Sequence, residues 1–260
     1  MRRCTLPLLL LVAPLILSCD RQPTQPSAGP ADGIVTEIAA AAPNFLLAAA
    51  EVNFAPVFDP QNFVRDVDNR FFPLRPGTRF VAEGEEDGEA EINVTLVTHD
   101  RKEILGVSAV VVLDRVLVDG EVKEKTFDWY AQDRDGNVWY LGEDTKEFED
   151  GKVVSTAGSW EAGKNGAVAG IIMPAQPQVG QHYFQEFFRG EAEDQARVVA
   201  RGLDVTVPFG TFHNCLKTVE FTRLEPGIKE AKFYCPGVGF VRAKGVLGSE
   251  AFLVLKNVFR

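Results

Sequence analysis

From Gly77 onward the chain alternates apolar and polar residues and breaks the alternation at short intervals with Asp-Gly pairs. Successive side chains of a strand point to opposite faces, so a period of two specifies sheets with two unlike faces. The segment AEINVTLV at residues 90–97 shows the alternation, and residues 107–118, 126–132 and 138–141 are rich in β-branched or aromatic side chains. Asp119-Gly120, Asp135-Gly136 and Asp150-Gly151 fall between such runs. Asp-Gly suits the two-residue turns of hairpins, where both central residues take a positive φ. The expectation is an all-β protein with minor helix: an antiparallel meander forming a curved sheet, a barrel or a two-sheet sandwich.

A weak internal repeat runs through this region. PGTRF at 76–80 has a counterpart in VGQHY at 179–183, offset by 103 residues. Residues 106–112 align with 210–216, and 127–131 with 231–235, at an offset of 104. The repeat predicts two β units, residues 69–154 and 175–260, around a glycine-rich, apolar-tipped loop at 155–174. Long loops in compact domains often carry function, so this loop is a candidate ligand or partner surface, and a packed structural loop is the alternative.

The N-terminus sets location. Arg2 and Arg3 precede a leucine-rich run at residues 6–17, and Ser18 precedes Cys19. This is the layout of a secretory signal, and a small residue before cysteine resembles the bacterial lipobox, in which that cysteine is diacylated. Residues 1–18 read as the signal peptide, and residues 19–33, lipidated Cys19 followed by Pro, Gly and small polar residues, as a tether. Fourteen tether residues reach at most about 45–50 Å. Residues 34–68 read as a helical or irregular segment, and 69–260 as the β-rich domain. Attachment to the membrane follows from the acyl chains. Asp20 after Cys19 resembles an inner-membrane retention signal in some bacteria, a rule that varies between lineages.

Without Arg2 and Arg3 the 27 basic residues become 25 against 37 acidic ones, a net charge of −12. Such a surface repels phosphate backbones, which excludes nucleic acid as a partner. Cys4 leaves with the signal, so an exported chain retains Cys215 and Cys235 besides the acylated cysteine. An oxidising compartment favours pairing them. With residues 224–227 as a hairpin loop, partners sum to 451, whereas Cys215 and Cys235 sum to 450, within reach of a bulge or diagonal contact. Two buried thiols are the alternative.

Chemical signatures are sparse, and no cofactor is called for. His99, His182 and His213 share no motif, and no nucleophile elbow, phosphate loop or dinucleotide fingerprint occurs. Asp133, Asp135 and Asn137 offer hard oxygens that calcium would accept, against a plain hairpin turn that accounts for the same residues. Trp129, Trp139, Tyr140 and Trp160, with Ile171 and Met173 of the 155–174 stretch, are candidates for an apolar ligand site, with core packing as the competing reading.

Four segments taken together, NRFFPLRPGT at 69–78, DWYAQDRDGNVWYLG at 128–142, VPFGTF at 207–212 and YCPGVG at 234–239, resemble an uncharacterised family of bacterial secreted and lipoprotein β domains. The resemblance implies an envelope location and a β-rich fold, and brings no activity, cofactor or catalytic residue. Cys235 departs from its pattern, where a small residue is expected. Three functions are open: a carrier of an apolar ligand, most in keeping with a non-catalytic lipoprotein; a protein-interaction module in envelope assembly; and a hydrolase using His182 or His213. The lipobox reading is checked first. Replacing Cys19→Ala should abolish palmitate labelling and release the protein from the membrane fraction, and labelling at the unmodified level would contradict it.

Overall fold

A computed structural model describes residues 54–86 and 88–260; Cys19, the tether and residues 34–53 lie outside the described residues. The strands in chain order are β1 (Phe63–Val64), β2 (Arg79–Glu86), β3 (Glu89–Ile104), β4 (Val107–Val118), β5 (Glu121–Asp133), β6 (Val138–Glu149), β7 (Lys152–Ser155) and β8 (Trp160–Glu161). They continue with β9 (Val168–Met173), β10 (His182–Phe184), β11 (Glu186–Phe187), β12 (Asp194–Val207), β13 (Gly210–Thr222), β14 (Lys229–Cys235), β15 (Gly239–Leu247) and β16 (Phe252–Phe259). Among the described residues no helix is long and apolar enough to cross a membrane.

All pairings are antiparallel, in the order β10-β12-β13-β14-β15-β16-β2-β3-β4-β5-β6-β9-β11, with β1 on β5 and β7 and β8 on β6. The two ends of this order, β10 and β11, are separated in the chain by Gln185 alone. The sheet therefore curls into a nearly closed barrel with the chain itself crossing the seam, which removes long exposed edges. Gly170 of β9 is required there, because a Cβ would collide with the Gln185 backbone.

Turn chemistry accounts for the meander. Asp119-Gly120 and Asp150-Gly151 have the paired positive φ of two-residue hairpin turns, and Leu105-Gly106 makes the same turn with a leucine in the first position. Asp135-Gly136 differs: only the glycine has positive φ, and the turn is organised by Asp133. The 155–174 stretch is not a free loop. Its β8 and β9 both pair with β6, which glycine spacing and short strand length conceal in sequence.

The two halves repeat one clasp. Gly77 N–H donates to Val97 and Val97 N–H to Thr78, at 2.8 and 2.9 Å; Gly180 donates to Val198 and Val198 to Gln181 at the same distances. Tyr130 of β5 stands opposite Val110, and Tyr234 of β14 opposite Leu216. Residue 110 thus corresponds to 216, an offset of 106, rather than the constant 104 expected for this strand. Register shifts at bulges in the β12–β13 pair absorb the difference.

The segment between β1 and β2 closes one end of the barrel. Val67 bridges to Leu74, and Asn69 anchors the loop by donating its amide N–H to Gln132 at 2.8 Å and its side chain to the Gly136 carbonyl at 2.8 Å. Phe72 then sits between the two corresponding tyrosines, 5.3 Å from the Tyr130 ring and 6.4 Å from that of Tyr234.

Cys215 and Cys235 form a disulfide, both fully buried. The β13–β14 register sums to 450, as in Leu216 opposite Tyr234, so the cysteines are directly opposed rather than one residue apart. The connection is the longer stretch from Arg223 to Ile228, which shifts the register expected from a four-residue loop. Replacing both with serine removes a cross-link over 20 residues and should lower unfolding free energy by about 3 kcal/mol in urea titrations; an unchanged midpoint would contradict this.

Candidate functional site

One part of the inward face of the barrel is polar. Along β3 the residues that point inward are Glu91, Asn93 and Thr95, while Ile92, Val94 and Leu96 point out. Glu91 is 2% exposed and Ile92 39%. The inversion continues on β5 and β6, whereas β4 turns Val110, Val112 and Val116 inward beside Asp114. Asp114 faces Thr95 and Thr126; on β5 and β6 three successive inward pairs are Glu124 with Glu147, Thr126 with Thr145, and Asp128 with Glu143. Directly opposed like charges destabilise a sheet, so these pairs must be relieved by protons or by cations.

Beyond Asp128 the ladder slips. Trp129 opposes Gly142 but Tyr130 opposes Tyr140, leaving Leu141 as the extra residue of a bulge. Gly142 permits it, with φ of +131° and no room for a Cβ against the Trp160 backbone. The bulge returns Tyr140 to the interior, where it stacks on Tyr130 at 4.8 Å and meets Trp160 edge-on at 5.3 Å. Its hydroxyl donates to Asp128 Oδ1 at 2.6 Å and lies 2.8 Å from Glu143 Oε2. A phenol has one proton to give, so the second short contact is made by a protonated Glu143 carboxyl donating to the phenol oxygen.

The electrostatics agree. Burial raises Glu143 well above the usual carboxylate range, reinforced by Glu186 and Asp128. Burial likewise raises Asp128 and Glu186, the latter reinforced by Asp194. Burial pushes Glu91 and Glu124 to about 8, and Asp114 to about 6 although Thr95 and Asn93 donate to it. Glu143 Oε1 has no hydrogen-bond partner among the described residues, whereas Trp160 and the Asp194 backbone bond Glu186, and Tyr130 as well as Tyr140 bonds Asp128.

The second half differs at several of the matched positions, with Glu230 in place of Thr126, Lys232 in place of Asp128 and Ala243 in place of Glu143. Glu220 stands where Asp114 does, opposite Glu230 as Asp114 is opposite Thr126, and Lys232 stands where Asp128 does. Lys232 Nζ is 3.0 Å from Glu220 Oε2, and Glu220 Oε1 accepts from Thr218 at 2.8 Å and Tyr234 at 2.9 Å. Burial alone would lower Lys232, but Glu220 and Glu230 outweigh it and hold the ammonium charged. No salt bridge joins Asp128, Glu143 or Glu186 to a cationic side chain among the described residues.

The aromatic residues singled out from sequence divide between the faces. Tyr140 and Trp160 belong to the inner cluster. Trp129 faces outward under Lys102, whose Nζ is 3.1 Å from the ring centre. Trp139 also faces outward, covered by Phe58 and Phe63 at 5.5 and 5.9 Å. Ile171 opposes Trp139, and Met173, fully buried, opposes Val138. The apolar space that is formed lies under the plug, a cavity of about 60 Å³ lined by Phe72, Leu74, Phe80, Tyr234, Phe240 and Leu255; a cavity that takes up benzene is about 150 Å³.

The hard-oxygen group is committed elsewhere. Asp133 accepts from the Asn137 amide at 2.8 Å, the Asn137 side chain at 2.9 Å and Trp139 Nε1 at 2.8 Å. Asn137 Oδ1 accepts from Ala175 at 2.9 Å, and Asp135 lies exposed in the turn. Among the described residues no three His, Cys, Asp or Glu converge as a metal shell. His182 bonds Gln195 and His213 bonds Asp204, the latter pair exposed.

No family model matches the chain, and no curated protein matches it. Among solved structures the fold is similar to a protein assigned as exported, with a YmcC-like fold, from Bacteroides fragilis, at 15% identity and a TM-score of 0.45, covering 74% of this chain and all of that one. It is also similar to a protein assigned as a lipoprotein from Parabacteroides distasonis, at 14% identity and a TM-score of 0.41, covering 75% of this chain and all of that one.

The acid cluster makes stability depend on pH with a definite sign. Folded carboxyls at about 8, against 4.5 in the unfolded chain, keep protons that the unfolded chain has released. Unfolding free energy therefore falls as pH rises from about 4.5 to 8 and levels above it. Urea midpoints should decline across this range, and Glu91→Gln with Glu124→Gln should flatten the slope; a midpoint that rises with pH would contradict the assignment.

Proposed function

We propose that the protein is a lipid-anchored binding protein of the bacterial cell envelope whose barrel interior holds a small, positively charged molecule. The supporting observation is Glu186: it is fully buried beside Asp128 and Glu143, bonded by the neutral donors of Trp160 and the Asp194 backbone, and no salt bridge balances the three carboxyls among the described residues. A buried carboxyl without an opposite charge must keep its proton or lose free energy. A cation whose N–H groups meet these oxygens would turn that cost into charge-assisted hydrogen bonds.

This reading replaces the apolar cargo expected from the aromatic residues. Trp129 and Trp139 are spent on the outer surface, and the cavity under Phe72 is smaller than a single benzene ring requires. The lipobox at Cys19 supports the envelope location.

The test is small-molecule extraction from a soluble form beginning at Asp20, purified from a bacterial periplasm and denatured before mass spectrometry. A near-stoichiometric compound with a basic nitrogen, missing from the Asp128→Asn, Glu143→Gln double variant, is expected. A neutral or acidic lipid at the same level in both proteins would overturn the proposal.

A further inference from the structure

Period two sorts the charges of β4, β5 and β6 between the two faces of the sheet. Asp114, Glu124, Asp128 and Glu143 face the interior, and the bases of the same strands are left on the outer face. There Arg115 stands directly opposite Lys125, and Lys125 directly opposite Lys146, three like charges in register on adjacent strands. Opposed like charges weaken a sheet, and an anion among them relieves the repulsion. Two acids of this surface are already committed: Asp144 pairs with Lys146 at 2.8 Å, and Glu121 with Lys123 at 2.8 Å. Neither Arg115 nor Lys125 has a salt bridge among the described residues. Lys125 Nζ lies over the Phe127 ring, 4.7 Å from its centre, and the acid next to Arg115, Asp114, is on the opposite face.

These two cations line a groove of about 560 Å³ together with Leu113, Val122 and Phe148, a size within the roughly 300–1,000 Å³ of small-molecule clefts. Arg115 Nε is shut off from water and has no hydrogen-bond partner among the described residues. A guanidinium donor withheld from solvent loses free energy until an acceptor meets it. We propose that this outer groove binds a small organic acid with an apolar tail, its carboxylate or phosphate held by Arg115 and Lys125 and its alkyl or aryl part lying on Leu113, Val122 and Phe148. The site is independent of the barrel interior. A guanidinium meets a two-oxygen acid through paired N–H donors, and the lysine adds a point charge. Metal ions and amines are repelled by the row of bases. A free hydrated anion would leave three apolar side chains of the groove facing water, whereas an alkyl tail removes them from it.

Isothermal titration calorimetry on the soluble form beginning at Asp20, at pH 7 and low ionic strength, compares octanoate, octyl phosphate, octanol and inorganic phosphate. One or both of the octyl acids are expected to bind one to one. The Arg115→Gln, Lys125→Gln double variant should weaken that binding about tenfold or more, through loss of charge-assisted bonds. Phe148→Ala should weaken it as well, through loss of contact with the tail. All three side chains lie on the outer face, and urea midpoints check that the variants fold; should the double variant not fold, Lys125→Gln alone carries the comparison.

Octanol binding as tightly as the octyl acids would overturn the role of the two cations, and inorganic phosphate binding as tightly would overturn that of the tail. Equal affinities in wild type and double variant would place the binding elsewhere and overturn the assignment. The proposal also fails if no octyl acid binds while the double variant loses cosedimentation with phosphatidylglycerol vesicles, since the groove would then meet a membrane surface rather than a single molecule.

Discussion

A carboxyl group enclosed by a barrel must keep its proton, meet a cation or lose free energy. Water, which ordinarily solvates the charge, is excluded, and the penalty for an isolated buried anion exceeds what packing around it returns. In this protein the constraint is multiplied along the strands. Period-two geometry places Glu91, Asp114, Glu124, Asp128 and Glu143 on one continuous inner surface, and none can turn outward without its strand slipping by a residue. Slippage would in turn expose the Trp129 and Trp139 face that Lys102, Phe58 and Phe63 cover.

The two halves satisfy that constraint differently. Around Lys232 the charge is balanced within the chain, by an ammonium, two threonine and tyrosine donors, and a salt bridge of 3.0 Å. Around Asp128 the balance is reached through protons, with the Tyr140 hydroxyl shared between two carboxyls. Phe72, on the loop that Asn69 ties to Gln132 and Gly136, packs against the Tyr130 ring.

The strands, the Asp119-Gly120 and Asp150-Gly151 turns and the opposed faces of Trp129 and Tyr130 were legible in the sequence, since each follows from local backbone preference. What was not legible is which face turns inward. Alternation in residues 90–97 says that Ile92, Val94 and Leu96 share a side, and ordinary hydrophobic burial assigns that side to the core. Here Glu91 and Asn93 hold the interior and Ile92 the exterior. The choice is made by closure of the whole sheet, a non-local property. Tyr140 and Trp160 were candidates by their aromatic character and lie beside the acid cluster, whereas nothing local marks Asp128, Glu143 and Glu186 as buried. The one signal available was the mismatch between Asp128 and Lys232 under the 104-residue offset, a charge reversal at matched positions beside Tyr130 and Tyr234.

Infrared spectroscopy of the soluble domain at pH 7 addresses the central claim most directly, because a protonated carboxyl has a carbonyl stretch well resolved from that of a carboxylate. Burial raises Asp128, Glu143 and Glu186 well above the usual carboxylate range, so the native protein should show this band at neutral pH and lose a large part of it on Asp128→Asn, Glu143→Gln substitution. A native spectrum at pH 7 with carboxylate bands alone would contradict a proton-balanced interior.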